Sequence, residues 1–304
     1  MNPILVTGIC GFLGGATFRR FLSNGYPVVG CDRNVYKTEL DSEKKNAFKV
    51  DLFDKDRFAQ ICPQNSLIFH FAGSSSVEDS VRNPEAVFKS NISSLFTVLE
   101  VARKTYSTVV LPSTGSIYSR ENQMPLCETS LLGPPSPYSA SKMAAEALCI
   151  SYRETFGVDV RIARLFSVYG PQMKRFFIFD AIEKMSTADE SVKFRGSGEQ
   201  IRDYMYIDDC IDALELISKP LYRNITINIG SGRSYKISQV ADEIKMLLKK
   251  DCLKVIFDKN EQNYQNDVFY PDVIKLSKLG FYCKTNLEKG LKECVKILSK
   301  NEKY

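Results

Sequence analysis

The chain of 304 residues is 44% hydrophobic and 25% charged, carries a net charge of +5, and has nine cysteines, one histidine and no tryptophan. A chain of this length and composition supports a sizeable core in one large or two modest domains, and no apolar run reaches the ~20 residues of a membrane helix. A His-rich metal site is excluded, and a Ser-His-Asp triad has His70 alone to draw on.

The predicted elements alternate through the first half. Residues 4–7 form a short apolar run ending at Gly8, and residues 12–23 have helical periodicity that stops at Asn24-Gly25. Strands are predicted at 27–31, 47–50 and 66–71. A long helix follows over about 84–104, then a strand at 108–111, a helix at 138–155 and a strand at 158–165. Strand–helix–strand order of this kind implies an α/β chain with a Rossmann-type, doubly wound parallel sheet.

The pattern loosens after Gly170. Loops are expected at Gly196-Ser-Gly198, Arg202-Asp203 and Asn228-Ile-Gly-Ser-Gly232. Helices are expected at about 208–218, 237–250 and 286–299, and strands near 192–194, 225–227 and 254–257. This half reads as a smaller, interleaved C-terminal lobe. The expected division is 1–167 plus a return segment at about 206–232, against 168–205 and 233–304. Eight lysines against three glutamates in residues 274–304 carry the basic excess. Leu287, Leu291, Val295 and Leu298 recur there at helical spacing, so these charges read as a solvated helix face, not as a footprint for nucleic acid or membrane. The odd cysteine count, the lack of a CxxC and the lack of a secretory leader point to reduced thiols and a cytoplasmic protein.

Gly8, Gly11 and Gly14 lie between the first strand and the first helix. The first permits a sharp turn, the second a close approach of backbone to a pyrophosphate, and the third the packing of helix on strand. The helix N-terminus offers free N–H groups to the anion. Asp32 closes the second strand, where a carboxylate accepts from a ribose 2′-hydroxyl and repels a 2′-phosphate. NAD is therefore expected over NADP, although the adjacent Arg33 weakens that preference or lies over the adenine. Asp51-Leu52 is placed to reach the adenine edge.

Tyr138 and Lys142 stand four residues apart, on one face of a helix. A phenol titrates near ~10, and a nearby ammonium favours its phenolate. Tyr138 is then suited to remove a proton from a sugar hydroxyl as hydride leaves the carbon. Ser113-Thr114 follows the fifth strand at its carboxyl end, where active sites of such sheets lie. Thr114 is placed to bridge Tyr138 and the substrate oxygen.

These residues, with His70-Phe-Ala-Gly73, Arg164-Leu-Phe166, Val168-Tyr-Gly-Pro171, the run from Gly196 to Tyr204 and Asn228-Ile-Gly230, resemble the extended short-chain dehydrogenase/reductases of the nucleotide-sugar epimerase/dehydratase type. The resemblance covers about residues 3–299. It implies an NAD-dependent enzyme with Thr114, Tyr138 and Lys142 as its catalytic set. It implies cofactor contacts at Gly8, Cys10, Gly11, Phe12, Leu13, Gly14, Asp32, Arg33, Asp51, Leu52, Phe71, Ala72, Gly73, Asn91, Ser113, Tyr138, Lys142, Phe166 and Val168. Contacts to a nucleotide-diphosphate sugar are implied at Ser75, Thr114, Ser116, Tyr138, Ser167, Lys174, Arg175, Arg202 and Tyr264, with Arg202 on the diphosphate. No metal is expected. A homodimer is expected through the helices near 84–104 and 138–155.

The residues after Thr114 separate the subclasses that the resemblance implies. The 4,6-dehydratases carry an Asp-Glu pair where this chain has Gly115-Ser116. The decarboxylating members use a Glu, and the 3,5-epimerising members a Cys, at the position of Ser116. A hydride transfer with one tyrosine remains, which suits a 4-epimerase. The alternatives are a 4-ketosugar reductase or sugar-nucleotide dehydrogenase, a 2-epimerase, and a non-catalytic NAD(H) sensor. Ser167 replaces an Asn and Tyr264 an Arg of the family pattern. Both changes concern the substrate and leave the redox set intact.

Overall fold

The computed structural model describes residues 2–35, 45–258 and 267–301. The chain begins with β1 (Ile4–Thr7), α1 (Phe12–Ser23), β2 (Val28–Asp32), β3 (Ala47–Lys49), α2 (Lys55–Ile61) and β4 (Leu67–His70). Next come α3 (Val77–Arg82), α4 (Pro84–Phe88), a π-helical stretch (Lys89–Ser93), α5 (Ser94–Thr105), β5 (Thr108–Thr114), a 3₁₀ turn (Gly115–Ile117), α6 (Pro137–Phe156) and β6 (Val160–Leu165). The later elements are β7 (Ser167–Tyr169), α7 (Phe177–Thr187), β8 (Ser191–Arg195), β9 (Ile201–Tyr206), α8 (Ile207–Ile217) and β10 (Thr226–Ile229). The chain closes with β11 (Ser234–Lys236), α9 (Ile237–Leu247), β12 (Lys254–Asp258), β13 (Val268–Phe269), α10 (Ile274–Lys278) and α11 (Leu287–Asn301).

Local chemistry sets the helix ends. Ser136 caps α6 by accepting the Ser139 N–H at 3.2 Å, Pro137 opens its first turn, and Gly157 ends it at φ 69°. Asp54, Ser76 and Asn83 cap α2, α3 and α4 in the same way.

The main sheet has seven strands in the order β10-β6-β5-β4-β1-β2-β3. Every pairing from β3 across to β6 is parallel. The chain runs outward from β1 to β3 and then returns to β4 on the other side of β1. That reversal is the topological switch point, where sheets of this kind bind ligands. Its register pairs Thr7 of β1 with His70 of β4. Leu5, Ile68, Leu95, Leu99, Val109, Leu111, Cys149 and Ile162 are buried in the core around this sheet. Each such aliphatic side chain stabilises the fold by about 1.5–3 kcal/mol relative to exposure.

Two compact units share the chain. The first comprises residues 1–119, 131–165 and 211–227, and the second 120–130, 166–210 and 228–304. In the second unit β11-β9-β13 form a sheet that β7 joins along β9, and β12 pairs with β8 in parallel. Helices α7, α9 and α11 pack together there. Leu287, Leu291 and Cys294 form the buried stripe of α11, while Lys289, Lys292 and Lys296 are exposed.

The structure corrects three local readings. Arg202 and Asp203 lie in strand β9, not in a loop. Asn228 and Ile229 complete β10 instead of opening a turn. The single helix expected at 84–104 is interrupted by the π-helical stretch.

Candidate active site

The glycine turn follows β1 directly. Gly8 sits at φ +75°, and a Cβ there would lie 2.7 Å from the backbone nitrogen of Ala72. A Cβ on Gly14 would collide with the Gly8 carbonyl oxygen. The turn and the segment after β4 therefore pack backbone to backbone, leaving a glycine floor. Gly11 is exposed and forms the N-cap of α1 without a side-chain cap. The amides of that first turn are thus available to an anion. Asp32 accepts the Cys10 N–H at 3.1 Å and the Asn34 N–H at 2.9 Å, which fixes its carboxylate at the end of β2. Ser113 Oγ is buried with no protein partner among the described residues. A cradle that extra methyl groups would fill, together with an orphaned hydroxyl, fits a dinucleotide.

Phe12 and Leu13 open α1, half-buried; Arg33 and Asp51 are exposed, and Leu52 is buried. Phe71, Ala72 and Gly73 follow β4, and Ser75 is exposed just before the Ser76 cap of α3. Asn91 is buried in the π-helical stretch. Its Oδ1 accepts the Ser74 N–H at 2.7 Å, and its Nδ2 donates to the Ser74 carbonyl at 3.1 Å and to Ser141 Oγ at 2.8 Å. The π-helical turn thereby ties the segment after β4 to α6, a placement typical of functional sites.

His70 is buried, and burial followed by the charge of Lys142 lowers its pKa to about 3. Its hydrogen bonds assign the tautomer. Ser94 donates its own proton to the Ser90 carbonyl, so it accepts from Nε2 at 3.4 Å. Nδ1 then accepts from the Thr7 hydroxyl at 3.0 Å, whose oxygen takes the Ala72 N–H at 3.1 Å. The imidazole is a neutral brace between β1, β4 and α5, not a base.

Tyr138 and Lys142 lie on successive turns at the start of α6, both half-buried. Burial pushes the Lys142 ammonium down to about 8, against the opposing pull of Cys149 and Glu146. It is therefore still largely charged at neutral pH. Thr114 ends β5 and accepts the Ser116 N–H at 3.2 Å, and its hydroxyl lies 3.0 Å from that of Ser116. Behind this corner Arg164 of β6 donates to Glu146 of α6 at 2.8 Å and to the Tyr118 hydroxyl at 2.9 Å. Arg164 was quoted from sequence only as part of the Arg164-Leu-Phe166 motif; its partners Glu146 and Tyr118 were not singled out, nor were Ser136, Ser139 and Ser141. The hydroxyl spacing around Tyr138 was the available signal.

The remaining expected residues belong to the second unit. Phe166 is buried and stacks on Phe269 at 4.8 Å, and Ser167 and Val168 are half-buried in β7. Lys174 and Arg175 are exposed, with the Arg175 guanidinium 5.0 Å from the Phe176 ring centroid. Arg202 is buried and donates to the carbonyls of Ile201 at 2.8 Å and Asp267 at 3.1 Å. Tyr264 lies outside the described residues.

No group of three or more His, Cys, Asp or Glu among the described residues is arranged to hold a metal. No helix among them is long and apolar enough to cross a membrane.

A glycine floor at the switch point and an acid closing the next strand fit a dinucleotide-dependent enzyme. The sequence profile of the NAD dependent epimerase/dehydratase family matches residues 4–230. The chain belongs to that family, and its cofactor is NAD. It is 30% identical to an uncharacterized UDP-glucose epimerase of Bacillus subtilis, over 97% of this chain and 98% of the relative. It superimposes on the UDP-glucose 4-epimerase of Thermotoga maritima, solved with UDP-glucose, with a TM-score of 0.90, 28% identity and full coverage of both chains. A mutant UDP-glucuronic acid 4-epimerase from Bacillus cereus, solved with UDP-4-deoxy-4-fluoro-glucuronic acid and NAD, gives a TM-score of 0.89 at 26% identity. That match covers 98% of this chain and 99% of the other.

Proposed function

We propose that this protein is a 4-epimerase of a UDP-linked sugar, working by transient oxidation at C4. The observation that carries the reading is the corner at Thr114, Tyr138 and Lys142, where Gly115 and Ser116 follow the threonine. A serine hydroxyl is too weak an acid or base to expel water from carbon or to exchange a carbon-bound proton. The residues are thus equipped for hydride transfer with one phenol. The UDP-sugar epimerases among the similar proteins support the same reading.

Bound NAD supplies the site that accepts hydride and later returns it. Tyr138 removes the C4 hydroxyl proton, and the Lys142 ammonium favours the phenolate that does so. Thr114 donates a hydrogen bond to the C4 oxygen as charge develops there. After the keto-sugar presents its other face, Tyr138 gives the proton back. Asp32 accepts from the adenosine ribose and selects against a 2′-phosphate. Ser167, Lys174, Arg175 and Arg202 are the proposed sugar-nucleotide contacts in the second unit.

We also assign a homodimer to the outer face of α5 and α6, where Phe96 (49% exposed), Ile150 (39%) and Phe156 (48%) stand in solvent. A cytoplasmic location accords with nine cysteines, none of them in a disulfide.

The deciding experiment offers UDP-glucose, UDP-galactose, UDP-glucuronate and UDP-N-acetylglucosamine without added cofactor and reads the product by NMR. Inversion at C4 with no net change in bound NAD supports the reading. Net reduction that requires NADPH overturns it in favour of a ketosugar reductase, and loss of water overturns it in favour of a dehydratase.

A further inference from the structure

Four hydroxyls form a chain behind the catalytic corner. Ser136 Oγ lies 2.9 Å from Ser139 Oγ, Ser139 Oγ donates to Ser116 Oγ at 3.0 Å, and Ser116 Oγ lies 3.0 Å from Thr114 Oγ1. Backbone N–H groups fix both ends: Ser139 N–H on Ser136 Oγ and Ser116 N–H on Thr114 Oγ1, each at 3.2 Å. Ser139 is 1% exposed, so water does not compete for it.

Counting sets the proton direction from Ser136 through Ser139 to Ser116. Each hydroxyl has one proton and two lone pairs. Ser139 donates to Ser116, so the proton between Ser136 and Ser139 comes from Ser136. Ser116 accepts from Ser139, and either hydroxyl can be the donor on its 3.0 Å link to Thr114; in the arrangement we propose, Ser116 donates. Thr114 Oγ1 then accepts twice from one residue, from the Ser116 N–H and from its O–H. With both lone pairs filled, Thr114 has its proton left to offer.

We propose that Ser139 and Ser116 are positioning residues that make Thr114 a one-way hydrogen-bond donor toward the reacting oxygen. The proposal rests on the reading of Thr114 and Tyr138 as the substrate-facing pair. A threonine free to rotate can accept from a neutral alcohol and so stabilise the unreacted state. A threonine locked as donor stabilises the anionic state, whether alkoxide or phenolate. The chain also begins at the cap of α6, the helix that carries Tyr138 and Lys142. One network therefore fixes the threonine and the start of the helix that supplies the base.

The test compares Ser139→Ala, Ser116→Ala and Ser116→Thr, with melting temperature and NAD content as controls for folding. Both alanine variants are expected to lose about tenfold in kcat with little change in KM, as for one oriented hydrogen bond. The acid limb of their kcat/KM profile moves upward by about half to one pH unit, because the anion is less stabilised. Ser116→Thr keeps the hydroxyl and restores both values. A readout independent of turnover is the ultraviolet signal of the Tyr138 phenolate, taken as the difference from a matched Tyr138→Phe protein. It moves to higher pH in the alanine variants. Folded alanine variants with a wild-type pH limb and phenolate titration overturn the proposal, even if Tyr138→Phe is inactive. If no sugar nucleotide is epimerised yet the phenolate titration still shifts, the functional reading falls and the hydroxyl chain stands. If Ser139→Ala does not fold, the half-buried Ser116 pair of variants decides the matter alone.

Discussion

Tyr138→Phe removes one oxygen and no packing, so general acid–base catalysis is lost while the glycine floor stays intact. Turnover should fall by about 10²–10⁴-fold with NAD still bound. Steady-state rates and the cofactor content of the purified variant check this, and near-normal turnover would remove Tyr138 from the mechanism. His70 gives a second prediction. Its folded pKa, about 3, lies below the ~6.5 of an unfolded imidazole. Between those values the unfolded chain binds a proton that the folded one refuses. Stability therefore declines as pH falls through this window and is unaffected by this group above it. Urea midpoints for wild type and His70→Gln should converge toward acid pH; parallel curves would show that the imidazole is not the buried neutral brace described.

At the scale of elements, α6 and β6 are joined by a charge pair that water barely reaches. Glu146 and Arg164 have side chains 3% and 7% exposed. Arg164→Met strands the Glu146 carboxylate in the core, and such losses cost about 3–5 kcal/mol. Arg164→Met/Glu146→Leu should recover most of it, as the urea midpoint would show; no recovery would mean the pair itself, not the stranded charge, supplies the stability. The same element shows what the sequence made legible. Ser136, Pro137 and Gly157 mark α6 as a helix with both ends written locally, and Gly8 to Asn24 mark α1 equally well. Strand β9 was not legible, because Arg202-Asp203 between glycine-rich turns reads as a loop. Their burial depends on distant chain: Arg202 donates to the Asp267 carbonyl, and Asp203 accepts from the Ser231, Gly232 and Arg233 backbone. Those bonds hold Asp203 inside the unit, although burial still raises its pKa to about 6. The π-helical stretch was hidden for a related reason. The bonds of Asn91 to Ser74 and Ser141 are tertiary, and helical periodicity carries no mark of them.

For the molecule as a whole, the exposed apolar residues on α5 and α6 bear on assembly. Phe96 packs edge-on against Tyr152, which in turn contacts Phe156, and Arg103 lies 4.8 Å over the Phe156 ring centroid. This leaves an ordered aromatic surface, not scattered side chains. Phe96→Glu with Ile150→Asp should convert a dimer to a monomer in sedimentation velocity while the melting curve stays cooperative. A wild-type monomer at micromolar concentration would dismiss the assignment. Sequence conveyed the apolar character of these helices, but only the fold shows which of their faces stays uncovered.

The order in which the two units share the chain has a consequence for synthesis. Residues 211–227 belong to the first unit, yet residues 166–210 of the second are made before them. The outer edge of β6 pairs with β10, through Ile162 N–H on the Ile225 carbonyl. During translation that edge waits, with its ladder groups open, until about residue 229 has left the ribosome. An open edge of buried-type residues invites pairing with a neighbouring chain. Nascent chains stalled at residue 205 should therefore need chaperone protection or aggregate, whereas chains stalled well past 229 should resist protease across β6. Equal protease resistance at both lengths would show that β6 does not wait for its last neighbour.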